Sequence, residues 1–336
     1  MRTWISTIGL AAALLGGSAL QAGAATHCRL TELGEVPVTS DGANLVIEAQ
    51  INGEPVKMIV DTGTLVTAVF RGSAQKLRLA PTSAGDGQGA AVRVKAFQVG
   101  EVTVDNTDMA VTDGGGDAQG RVGAGFLLRD DVEFDLPEGK IRFFKPGSCE
   151  GDQVVYWGQA YSVAPMLAAA DPMIEVKVLL NGQPVVARMD TGAACSGVTT
   201  AAAARLGVTG GSQGAFPSGQ LQCSGAAAVW PPVAGRPAAR ARYPKGAFVG
   251  GFSTLAFGDE TIRNAQLVVG DLDLGGGPTG AAATPAAAAP EMALGADFFR
   301  SHRIYVSQAQ QQVYVSYTGG PVFQADLGDS GPSASR

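Results

Sequence analysis

Histidine is almost missing from this chain: only His27 and His302 occur in 336 residues. The four cysteines (Cys28, Cys149, Cys195, Cys223) contain no Cys-x-x-Cys spacing, so neither imidazole nor thiolate supplies the ligand set of a metal centre, and no metal is expected. His302 has no evident nucleophile partner and no Gly-x-Ser-x-Gly elbow is present, which argues against a serine-hydrolase triad. Charge is scarce too. Asp, Glu, Lys and Arg make up 16% of the chain, the net charge is −6, and Lys and Arg form no cluster, so neither nucleic acid nor an anionic membrane surface has a footprint. The Gly-rich runs 113–125 and 273–280 do not sit between a strand and a helix as a dinucleotide-binding turn would; they read as loops, and no cofactor is called for.

What the chain does have is apolar material and glycine: 46% hydrophobic residues and 47 glycines, a composition that favours strands and turns over charged helices. Its length suggests two lobes. The N-terminus has a separate role. Arg2, an apolar stretch and the Ala22-Gly23-Ala24 triplet predict a cleavable export signal over residues 1–25. The stretch is shorter than the roughly 20 apolar residues of a membrane span, although an uncleaved anchor is the alternative. Export puts the mature chain in a periplasmic or secreted, oxidising setting. There an even cysteine count suggests bridges; four cysteines permit three pairings, and two lie in each half. The expected pairs are Cys28–Cys149 and Cys195–Cys223, with a buried free thiol as the other reading of Cys195.

The sequence is written twice. "LVIEAQINGEPVKMIVDTGTLVTAV" (45–69) superimposes on "PMIEVKVLLNGQPVVARMDTGAACSGV" (172–198). Each copy has an alternating strand, an Asn-Gly turn, then a strand running into Asp-Thr-Gly; Asn-Gly between alternating runs is the strongest short hairpin signal. A hydroxyl residue, Thr67 or Ser196, stands six positions after each aspartate. The match continues through a helix-compatible stretch, a strand pair (94–113 and 249–272), and an apolar-Gly turn with a closing hairpin (121–145 and 293–317). The expected organisation is a first lobe at 26–150, a connector at 151–172 and a second lobe at 173–318. Insertions at 216–246 and 275–290 enlarge the second lobe, and a disordered tail runs from 319 to 336.

Two aspartates in tight turns suit a particular chemistry. If the lobes pack about a pseudo-two-fold axis, Asp61 and Asp190 meet at the seam. Carboxyls brought to roughly 3 Å cannot both ionise and so share a proton. The ionised member can then take a proton from a water while the neutral one polarises a substrate carbonyl.

These residues carry a resemblance. Asp61-Thr62-Gly63-Thr64 with Thr67, Asp190-Thr191-Gly192-Ala193 with Ser196, and the elements Val122-Gly123 and Leu294-Gly295 resemble the aspartic proteases of the retropepsin-like kind, duplicated in one chain as in pepsin-like enzymes. The resemblance covers about residues 43–146 and 172–317. It implies an all-β fold of two barrel-like lobes around a cleft, a catalytic pair Asp61 and Asp190, and cleavage of extended protein or peptide substrates by a monomer. It also implies flaps: the first-lobe candidate is 83–91 with Asp86, Gly87 and Gly89 at its tip. The second lies within 212–246, where Trp230 either touches substrate or packs its own loop.

Three departures bear on activity. Gly125 stands where such proteins often carry Asp or Asn, whereas the second copy keeps Asp297. Arg188, two residues before Asp190, either perturbs the pair or turns to solvent. Thr64 can bond near its aspartate where Ala193 cannot. The readings carried forward are an exported aspartic endopeptidase and a peptide-binding module of the same fold with little or no turnover.

Overall fold

The computed structural model describes residues 30–41, 44–82, 90–147, 154–158, 160–168, 171–212, 215–217, 246–272, 274 and 289–323. The first lobe contains β1 (Thr31–Asp41), β2 (Asn44–Ile51), β3 (Glu54–Asp61), β4 (Ala68–Phe70), α1 (Arg71–Lys76), β5 (Ala80–Thr82), β6 (Ala91–Val99), β7 (Val102–Thr112), β8 (Gly120–Gly123), α2 (Ala124–Leu127), β9 (Asp131–Asp135) and β10 (Lys140–Lys145). A connecting strand, β11 (Ser162–Pro165), leads to the second lobe. That lobe holds β12 (Glu175–Leu180), β13 (Gln183–Met189), β14 (Gly197–Thr199), α3 (Thr200–Arg205), β15 (Phe216–Pro217), β16 (Phe248–Phe257), β17 (Glu260–Gly270), β18 (Met292–Leu294), α4 (Ala296–Arg300), β19 (His302–Ser307) and β20 (Gln312–Tyr317).

Each lobe closes a six-stranded barrel. In the first the order is β2-β3-β8-β4-β7-β6, with β6 pairing back on β2; in the second it is β12-β13-β18-β14-β17-β16, with β16 back on β12. The Asn-Gly turns do what their sequence predicts. Asn52 and Gly53 (φ 54° and 84°) and Asn181 and Gly182 (φ 50° and 75°) all take the left-handed angles that match the twist of the flanking strands. Each turn also reaches across its barrel. Asn52 Oδ1 accepts the amides of Lys95 and Ala96 at 2.8 and 3.1 Å, and Asn181 Oδ1 accepts those of Ser253 and Thr254 at 2.8 and 3.3 Å. Alternation along the strands then sorts side chains: in β6, Val92, Val94, Phe97 and Val99 face the barrel interior while Arg93 and Lys95 face water.

A shared sheet joins the lobes, in the order β11-β20-β19-β9-β10-β1. Its central joint is the antiparallel pairing of β9 with β19, Phe134 opposite Ile304. β1 pairs with β10 through Pro37 and with β2 from Val38 onward, so one strand serves both sheet and barrel. Phe134 meets Phe299 edge-on at 5.2 Å between ring centroids, carrying the apolar core across the seam. Buried charge on this sheet is paired: Glu133 and Asp135 of the first lobe share Arg142 and Arg303, the latter from the second lobe (Arg303 Nη2 to Glu133 Oε1 2.9 Å). His302 belongs to the core as well, stacked on Phe298 at 4.1 Å, with Nε2 3.0 Å from Glu260.

Two expectations need correction here. Residues 151–172 are more than a connector, because β11 adds an edge to the joining sheet and Val154 and Val155 are buried against Phe144 and Tyr305. The tail does not become disordered at 319. Phe323 is 1% exposed, its ring lies 5.9 Å from Phe298, its carbonyl accepts the Gln266 amide at 2.9 Å, and Pro321 accepts the Ser301 hydroxyl. The sequence hid this because a lone Phe in a Gly/Pro-rich stretch has no period. Phe323→Ala should therefore cost about 2 kcal/mol in chemical denaturation, the value of one buried aromatic side chain; an unchanged midpoint would show that the segment contributes nothing.

Candidate active site

Asp61 is the last residue of β3, and Asp190 follows directly on β13. The two turns interlock. Thr62 Oγ1 donates to the Met189 carbonyl at 2.8 Å and accepts the Thr191 amide at 3.0 Å; Thr191 Oγ1 donates to the Val60 carbonyl at 2.8 Å and accepts the Thr62 amide at 3.0 Å. All four bonds are buried and all cross between lobes. The sequence shows that a threonine can anchor its turn. That each one anchors the opposite turn follows from the pseudo-symmetry.

The glycines bring the carboxyls together. A Cβ on Gly63 would lie 2.2 Å from Cγ of Asp190, and one on Gly192 would lie 2.4 Å from Oδ1 of Asp61. Each carboxyl thus rests on the backbone of the other turn, a fit that any larger residue would destroy. Backbone donors cradle both: the Gly63 amide reaches Asp61 Oδ1 at 3.2 Å, and the amides of Gly192 and Ala193 reach Asp190 Oδ1 at 2.8 and 3.1 Å. The Thr64 hydroxyl lies near enough to Asp61 to favour its charged form slightly, yet among the described residues no acceptor meets it in hydrogen-bond geometry.

Burial and proximity set the protonation. Burial, followed by the negative charge of Asp61, pushes Asp190 up to about 6, while the backbone donors oppose it. Burial also raises Asp61, with Arg121 working against the rise. The carboxyls titrate as a pair.

Arg121 is the residue that sequence reading passes over. It lies in β8 opposite Ile59, and its Nη1 donates to Asp61 Oδ2 at 2.9 Å. Superimposing Val122-Gly123 on Leu294-Gly295 places it on Ala293, so a sequence signal did exist: a cation in one copy and a methyl in the other. Arg188, the cation the sequence singles out, does not turn to solvent. It is buried and bonded to Glu175 (Nη2 to Oε1 2.5 Å) and to the Leu274 carbonyl, and weakly favours ionised Asp190.

Support beneath the turns is unequal. In the second lobe Asp297, buried, accepts Ser196 Oγ (2.6 Å), the Ser196 amide (2.9 Å) and the Phe298 amide (2.9 Å), and Ser196 Oγ in turn accepts the Gly295 amide. In the first lobe Thr67 Oγ1 accepts the Gly123 amide at 3.2 Å, but Gly125 stands where Asp297 does, and among the described residues no carboxylate is bonded to Thr67. A Cβ at Gly125 would come within 2.8 Å of the Leu65 carbonyl, so this backbone path leaves no room for an aspartate there.

The flap candidates Asp86, Gly87, Gly89 and Trp230 lie outside the described residues, as do Cys28, Cys149 and Cys223. Cys195 is 8% exposed, packed against Ala247 and Val268. Among the described residues no group of three or more His, Cys, Asp or Glu could hold a metal ion, and no helix is long and apolar enough to cross a membrane.

Comparison with known proteins agrees with this geometry. Residues 47–126, which run from β2 to α2 and include Asp61, match the family described as aspartyl protease. No curated protein matches the sequence. Among solved structures, an aspartic proteinase from Irpex lacteus superimposes with a TM-score of 0.52, covering 85% of this chain and 97% of that one at 12% identity, a likeness of fold. The chain thus has the two-lobed, duplicated fold of an aspartic proteinase, and its first lobe matches the aspartyl protease family.

Proposed function

We propose that the protein is an exported aspartic endopeptidase that hydrolyses peptide bonds with water activated by Asp61 and Asp190. The reciprocal seating of each carboxyl on the other turn's glycine carries this reading, because it brings two acids into one charge-coupled site. The ionised carboxyl takes a proton from the water held between the two. The neutral one hydrogen-bonds the scissile carbonyl, and the tetrahedral species collapses as the leaving nitrogen is protonated. The substrate proposed is an extended protein or peptide lying across the seam between the lobes. Export is read from the signal-like residues 1–25 and would suit bridged cysteines. The bridges proposed are Cys195–Cys223 and Cys28–Cys149, and the active form is a monomer.

The second reading, a peptide-binding module of the same fold, has one observation in its favour: the Arg121–Asp61 ion pair occupies part of the site where water must be activated. The experiment is direct. Purified mature protein is incubated with an unstructured protein between about pH 3 and 7, a range that brackets ordinary and raised carboxyl titration, with and without a statine-type transition-state mimic. Cleavage that the mimic stops establishes the endopeptidase. Binding of the peptide without cleavage anywhere in the range establishes the module. Peptide mapping under non-reducing conditions checks the bridges: a Cys195 peptide linked to any partner but Cys223 removes that pairing.

A further inference from the structure

We infer that Arg121 is a positioning residue that fixes Asp61 as the ionised member of the pair and leaves the shared proton on Asp190. The inference rests on the proteolytic reading of this site and deepens it by dividing the roles: Asp61 is the base toward water, and Asp190 donates to the carbonyl.

The argument starts from broken symmetry. The backbone amides of the two turns, one on Asp61 and two on Asp190, give Asp61 no reason to ionise first. Arg121 supplies it, because it reaches Asp61 at 2.9 Å while the matching position of the second lobe is Ala293. The acid end of the pair is shielded: Asp61 is 5% exposed, while Arg121, its side chain 31% exposed, lies with its guanidinium 5.8 Å over the Phe70 ring from β4. Screening of a close opposite charge is weak in such a place. Nε of Arg121 is buried with no acceptor among the described residues, so the head group is aimed at Asp61 and not merely resting in a polar cluster. The other charged groups facing the pair do not cancel this bias. Asp190, on the facing turn, is the partner acid, and Asp61's charge resists its ionisation. Arg188 on β13 favours ionised Asp190, but its guanidinium is bonded to Glu175 of β12 and to a backbone carbonyl.

The arrangement has a consequence for the working range. A carboxylate held by a cation stays ionised to lower pH, so Arg121 extends activity toward acid while making Asp61 a weaker base. Removing the cation should pull the acid limb of the pH profile upward.

The test compares kcat/KM against pH for wild type, Arg121→Met and Arg121→Lys on one peptide. The Met variant keeps an apolar stem over Phe70; should it not fold, Arg121→Gln carries the same expectation. Its acid limb should rise by about one pH unit, the low end of what an opposite charge at this range does, and Lys should restore the wild-type midpoint. An acid limb that coincides with wild type overturns the inference whatever the plateau rate does, since loss of packing alone lowers the plateau without moving the midpoint. A second measurement needs no substrate: carboxyl carbon NMR of aspartate-labelled protein, with the Asp61 signal assigned through Asp61→Asn. If the wild type cleaves nothing, the endopeptidase reading falls, and the titration of Asp61 with and without Arg121 still decides the role of Arg121.

Discussion

Asp61→Asn and Asp190→Asn are each expected to lower kcat/KM about 10³-fold or more while leaving the fold intact. General acid and base catalysis by one positioned group contributes on the order of 10²–10⁴, and in the proposed mechanism neither acid works without the other. An amide in place of either carboxyl leaves one acid that titrates alone, so the half-ionised state disappears. Folding should survive, because Asn keeps an acceptor for the Gly63 amide in one turn, or for the Gly192 and Ala193 amides in the other. The check is steady-state kinetics beside near-ultraviolet circular dichroism. Activity within tenfold of wild type in either variant would remove the two-carboxylate mechanism.

Asp190→Asn should also change stability. Asp190 is raised in the folded protein to about 6 from an ordinary value near 4, first by burial and then by Asp61. The folded state therefore binds this proton more tightly than the unfolded one. Stability from this group is highest below pH 4, falls as pH rises through about 6, and is then flat. Asp190→Asn removes that loss and should raise the melting temperature at pH 7, by an amount equivalent to ~2–3 kcal/mol, while changing little at pH 4. Such a gain from deleting a site residue is the mark of a group held in an unfavourable state for its task.

Local sequence carried much of this arrangement. Asn52-Gly53 and Asn181-Gly182 encode their turns through backbone angles that few other residues adopt, and the alternating strands beside them need no distant partner to be recognised. Their repetition, with Asp-Thr-Gly in the same place, also exposed the two lobes and the pair Asp61 and Asp190. What stayed hidden depends on distant contacts. Arg121 touches Asp61 only because β8 lies parallel to β3, and a parallel neighbour 60 residues away has no local signature. Arg188 looks like a threat to Asp190 until Glu175, opposite it on β12, is seen to hold it. Gly125 reads as a missing support until the Leu65 carbonyl is found where its side chain would go.

The largest structural effect is expected at the interlock. Thr62→Val keeps the shape of the side chain and removes one hydroxyl that serves two buried backbone groups, the Met189 carbonyl and the Thr191 amide. Each group left without a partner costs about 1–3 kcal/mol, so the variant should lose about 3–4 kcal/mol in urea denaturation. Thr191→Val strips the Val60 carbonyl and the Thr62 amide and should lose a similar amount. The double variant is the decisive one. Both hydroxyls lie on one seam, and once the first is gone the turns can separate and admit water to the remaining groups, so the two losses should sum to less than the singles predict. Activity should fall with the first substitution, because the carboxyls are held at each other's glycine only while the turns stay locked, and a displacement of about 1 Å is enough to cost 10²-fold. Strict additivity with retained activity would mean that each threonine serves its own lobe alone and that something else holds the two acids together.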